Sequence, residues 1–77
     1  MHNATHGAFA LEFDAAENQQ YKVDVIDFTG RVIMTRSGAT ARGPNKINYN
    51  FENLAAGIYF VRIDLEDQTR LLRVVFE

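Results

Sequence analysis

The feature that most limits what this chain can fold into is an apolar alternation of period two that returns in run after run. Phe9, Leu11 and Phe13 alternate with Ala8, Ala10 and Glu12; Tyr21, Val23 and Val25 alternate with Lys22 and Asp24. Ile47, Tyr49 and Phe51 alternate with Asn48, Asn50 and Glu52. Successive side chains of a β-strand point to opposite faces, so each run offers one apolar face to a core. Ile58 to Leu65 is the strongest run, with Tyr59, Val61, Ile63 and Leu65 on one face and Ile58, Phe60, Arg62 and Asp64 on the other. Thr69 to Phe76 reads as a last strand, apolar in part on both faces. No window carries a capped amphipathic helix, because a helix over Ala8 to Ala16 would splay Phe9, Leu11 and Phe13 around its axis.

The connections are short. Asp27 to Gly30 is a turn between Tyr21–Val25 and Arg31–Arg36, and a gap this short requires an antiparallel hairpin. Ala15 to Gln20, Asn53 to Gly57 and Glu66 to Gln68 are polar or glycine-bearing breaks. Ser37 to Lys46, with Gly38, Gly43 and Pro44, reads as a loop that holds at most a short edge strand over residues 40–42. The chain is thus expected to be all-β: an immunoglobulin-like antiparallel sandwich of six to seven strands, one domain over residues 1–77, with residues 1–6 a linker or frayed end.

Composition removes several kinds of function. Seventy-seven residues make one domain, and a core of that size supplies only about 3–5 kcal/mol of net stability. With no cysteine there is neither a disulfide nor a thiolate metal site. The net charge is −2 and the basic residues stand singly, which leaves no electrostatic footprint for nucleic acid. No apolar run approaches the ~18 residues of a membrane-spanning helix. Met1 to Gly7 has neither the basic nor the apolar region of a signal peptide, so an exported chain would carry its N-terminal signal upstream, in a longer parent.

Candidate sites are sparse. His2 and His6 are spaced as two metal ligands on a helix, but no helix is expected there. Asn3-Ala4-Thr5 matches a short glycosylation pattern that arises often by chance. Asp64, Glu66 and Asp67 cluster without the spacing of a calcium loop and read as a solvated hairpin turn. Asp27 reads as a turn residue bonding the backbone ahead of Gly30. No carboxylate pair, activated nucleophile or cofactor motif is marked, so no catalytic, metal or cofactor residue is assigned and no enzyme is expected. Tyr21, Tyr49, Phe51, Tyr59 and Phe60 could make a sugar-stacking platform, but most fall on faces expected to be core.

Leu54-Ala55-Ala56-Gly57-Ile58-Tyr59-Phe60-Val61-Arg62-Ile63 resembles the signature of the C-terminal sorting domain of type IX secretion, the Por secretion tail, in its type A form. Val23-Asp24-Val25-Ile26-Asp27-Phe28-Thr29-Gly30-Arg31-Val32 is similar to that family's hairpin, and Thr69 to Phe76 stands where the family has its closing strand. The likeness runs over residues 7–76. The chain differs at its ends: it lacks the prolines that flank an asparagine at the family's start, and it closes on Glu77 rather than on lysines.

The resemblance implies a secretion signal that directs a larger cargo across the outer membrane of a Gram-negative bacterium, through the periplasm to the cell surface or medium. A surface protease would then remove the domain, often with transfer of the cargo to a glycolipid. Its partners would be the outer-membrane translocon, shuttle proteins and the upstream cargo domain. Gly30, Leu54, Gly57, Tyr59, Arg70, Arg73, Val74 and Val75 are the candidate motif and recognition residues. The last strand, expected at a sheet edge, could accept a partner's strand, or let two copies pair or swap strands into a homodimer. Removing Arg73 to Glu77 is then expected to abolish export and spare the fold. The alternative is a non-sorting accessory module that binds glycan or a neighbouring domain.

Overall fold

The computed structural model describes residues 2–5, 8–50 and 54–77, with only the backbone for residues 2–5. Phe51, Glu52, Asn53, His6 and Gly7 lie outside the described residues, as do the side chains of His2 and Asn3. Seven strands are found among the described residues: β1 (His2–Thr5), β2 (Ala8–Ala15), β3 (Gln19–Asp27), β4 (Val32–Thr40), β5 (Gly43–Asn50), β6 (Gly57–Leu65) and β7 (Thr69–Phe76). No helix occurs among these residues. The strands form a five-stranded sheet, ordered β1-β7-β6-β3-β4, and a two-stranded sheet of β2 and β5.

The alternation predicts which faces meet. Leu11 and Phe13 of β2, Val23 and Val25 of β3, Tyr59, Val61, Ile63 and Leu65 of β6, and Val74 and Phe76 of β7 form one buried cluster. Two sheets therefore face each other across a single core, as in a β-sandwich. Phe9 lies 6.2 Å from Phe76 between ring centroids, and Phe13 meets Tyr21 edge-on at 6.5 Å, so aromatic rings span the gap at two levels. Tyr49 reaches in from β5, where burial, then the neighbouring Tyr21, push its phenol up to about 12.

Three expectations need correction. Ser37 to Lys46 is no loop: β4 runs on to Thr40 and β5 begins at Gly43, leaving only Ala41 and Arg42 to connect the sheets. Polar residues tolerate a strand there because β4 and β5 are edge strands. An edge position also accommodates Pro44, which lacks an N–H. The tight crossing is held by side chains. Asn45 accepts from the Ala41 amide at 3.1 Å and donates to the Ala41 carbonyl at 2.8 Å, while Asn18 accepts from the Arg42 amide at 2.8 Å.

The second correction concerns the start of the chain. His2–Thr5 is not a frayed end but a strand, and it pairs with β7 in parallel, His2 opposite Arg73 and Thr5 opposite Phe76. The sandwich is therefore antiparallel in every pairing except this one. The third follows from it. The Arg73–Phe76 half of β7 is not a sheet edge, because β1 covers it.

Candidate recognition surface

The family-like residues gather at one end of the five-stranded sheet. In the register, Asp27 of β3 stands opposite Tyr59 of β6, and Tyr59 opposite Val74 of β7. Ile58 pairs with Val75, and Gly57 with Phe76. The hairpin turn with Gly30, the entry to β6 and the end of β7 thus share one rim.

Each piece of this rim has a local cause. The Asp27 carboxylate accepts from the Thr29 amide at 2.9 Å, the Thr29 hydroxyl at 2.5 Å and the Arg31 amide at 3.1 Å. The Thr29 hydroxyl first, with the two amides and the Arg31 charge, holds the Asp27 carboxyl below its ordinary value. Gly30 completes the turn at φ +91°, a conformation that costs a side-chain-bearing residue dearly. Tyr59 donates its hydroxyl to the Ala55 carbonyl at 2.7 Å and lies 4.9 Å from Phe76 between ring centroids. Its ring is buried while its hydroxyl ties the connection before β6 to the strand. Leu54 packs against the core from that same connection.

Two kinds of residue are mixed among the candidates. Tyr59 and Val74 are buried, and Leu54 is partly so, which makes them parts of the fold. Arg70 and Arg73 are exposed and Val75 is half-buried, so these can meet a partner. Arg73 stands beside the rim, opposite Phe60, whereas Arg70 lies farther along β7, opposite Ile63. Val74 and Phe76 are core residues, so removing Arg73 to Glu77 takes part of the core away and is expected to cost the fold as well as export.

A charged network lies farther up the outer face of the same sheet, and sequence reading missed it. Asp24 is only 2 % exposed, yet it sits on the face away from the core. Arg62 donates to its carboxylate at 2.6 Å, Thr35 at 2.7 Å, and the Lys22 ammonium stands 3.7 Å away. Burial alone would raise the Asp24 carboxyl; the Arg62 and Thr35 hydrogen bonds and the Lys22 charge outweigh it and lower it. Asp24 in turn holds the Arg62 guanidinium even more firmly protonated. Asp64 lies 3.5 Å from Arg62 and 3.9 Å from Lys22, linking β3 to β6 across the strands. Opposite charges at cross-strand positions gave a hint of this: Asp24 and Arg62 are register partners.

Asp64, Glu66 and Asp67 form no ligand cage. The turn closes through the Leu65 amide on the Gln68 carbonyl at 2.8 Å, and Thr69 donates to Asp64 at 2.9 Å. Among the described residues no group of three or more acids and histidines converges.

No curated protein and no solved structure matches the chain. The family model of the secretion system C-terminal sorting domain matches residues 3–77, which takes in β1 from Asn3 onward, β2 to β7 whole, the Asp27–Gly30 turn and the Leu54–Tyr59 entry. A match over nearly the whole length, falling on a folded β-sandwich, places this chain in the family of type IX secretion C-terminal sorting domains.

Proposed function

We propose that the domain is the export address of a larger cargo protein, read by type IX secretion as a folded unit. The observation that carries this reading is the family match over residues 3–77. The rim that joins the Asp27–Gly30 turn to the Leu54–Tyr59 entry supports it, since it offers the machinery a rigid shape rather than a linear tag. Val75, Arg70 and Arg73 are the motif residues with surface to present. The cargo domain would precede the sandwich, pass through the periplasm with it and emerge at the cell surface or in the medium. Its partners there would be shuttle and translocon proteins.

The test is a fusion of residues 1–77 to the C-terminus of a periplasmic fluorescent reporter in a host with type IX secretion. Export that disappears in a translocon-deficient strain is the expected outcome. A folded reporter retained in the periplasm would overturn the reading in favour of an accessory module.

A further inference from the structure

The outer face of the five-stranded sheet is divided. One half carries the Asp24–Arg62 network. The other begins beside it: Leu71 of β7, which stands opposite Arg62, lines a shallow groove with Ile26, Phe60 and, on the Asp27–Gly30 turn, Phe28, and Arg62 borders it. Leu71 is 60 % exposed and Phe28 is 78 % exposed.

A lone exposed aromatic is ordinary. Phe28 is different because of what holds it. Its turn is fixed by the Asp27 carboxylate, which reaches over Phe28 to the amides of Thr29 and Arg31, and by Gly30. That turn has no use for a ring at position 28, where a polar side chain would be better solvated. The ring is nonetheless displayed next to apolar side chains from β6 and β7, whose backbones are fixed in register. Apolar side chains grouped in this way gain by burial against a partner, and a groove rigid before binding loses little entropy on binding.

The charges around the groove indicate the partner. Arg62 is held by Asp24 and Arg31 stands 3.7 Å from Asp27, so both cations are balanced within the domain. Arg73 stands opposite Phe60 and two residues beyond Leu71 on the same face, exposed, with no ion pair among the described residues. Phenylalanine and arginine are both enriched where protein interfaces bury most surface.

We propose that the groove between Phe28, Phe60 and Leu71 is the docking site for a protein component of the export machinery, which inserts an apolar side chain there and sets a carboxylate against Arg73. This rests on the sorting reading above.

The test uses the reporter fusion, in which a foreign protein replaces the native cargo and so removes the cargo as an occupant of the groove. Phe28→Ser and Leu71→Ser each lower the exported fraction about tenfold, as expected for hot-spot residues. Arg73→Glu does the same and Arg73→Lys retains export. The thermal midpoint of each variant stays at the wild-type value, because these side chains are outside the core. Wild-type export with undiminished export of the Phe28 and Leu71 variants overturns the proposal and leaves the sorting reading standing. Wild-type retention overturns both. A wild-type dimer in sedimentation that Phe28→Ser dissolves assigns the groove to a second copy, and overturns it as well.

Discussion

Tyr21 lies across Gly38, its register partner on β4, so closely that a Cβ at Gly38 would stand 2.5 Å from the phenol oxygen and 2.7 Å from Cζ. A glycine on an edge strand leaves bare backbone, and a cross-strand ring covers it. Gly38→Ala must therefore displace the Tyr21 ring from its place over the backbone. The expected loss is about 1–3 kcal/mol, the usual cost of overpacking, measured by urea unfolding. The loss should largely vanish when Tyr21 is already alanine, because the two substitutions act on one contact. Equal losses in both backgrounds would show that the ring is not the cause.

Acid should weaken the fold through Asp24. This carboxyl titrates below its ordinary value of 3.8 in the folded chain. Its ionised form thus favours the folded state above the unfolded value, and the advantage drains away as pH falls through the folded one. The urea midpoint is expected to fall on acidification below about pH 4, with a flatter profile in Asp24→Asn. That variant should also be less stable at neutral pH. Superimposable profiles for the two proteins would assign the acid sensitivity to other carboxyls.

Tyr59→Phe removes the hydroxyl bonded to the Ala55 carbonyl and keeps the ring. About 1 kcal/mol of stability should be lost, the typical net value of one such bond. Amide exchange should quicken around Leu54–Gly57 more than in β3, since the bond ties down that connection. A uniform change across the domain would contradict a local role.

Deleting Val74 to Glu77 should unfold the domain rather than merely silence it. Val74 and Phe76 are 1 % and 3 % exposed. Losing both would exceed the roughly 3–5 kcal/mol that a core of this size supplies. Far-ultraviolet circular dichroism of the truncated chain should show a disordered polypeptide; a retained β spectrum would show that the smaller core suffices.

The sandwich was legible wherever burial on one face imposed alternation. β2, β6 and β7 fall where Phe9–Phe13, Ile58–Leu65 and Thr69–Phe76 place them. Ser37–Thr40 escaped notice because its strand character comes from pairing with β3 and from the Tyr21 ring, neither of which is local. β1 escaped for a similar reason: its four residues carry no apolar periodicity and gain their conformation from β7. Asp27 was readable as a turn residue since its bonds reach only to Thr29 and Arg31. The burial of Asp24 was not, since Thr35 and Arg62 approach from two other strands. The groove at Phe28 left one trace in the sequence, an aromatic inside an otherwise polar turn, and its other walls come from distant segments.

The parallel pairing of β1 with β7 also determines how the domain bears tension. A pull from the His2 end, resisted at the Phe76 end, would slide the two strands past each other along their length. Their cross-strand hydrogen bonds would then share the load and have to fail together, whereas an antiparallel terminal pair gripped at one end peels open bond by bond. The β1 and β7 strands thus act as a clasp, and a load hauled between those two ends would be borne in shear.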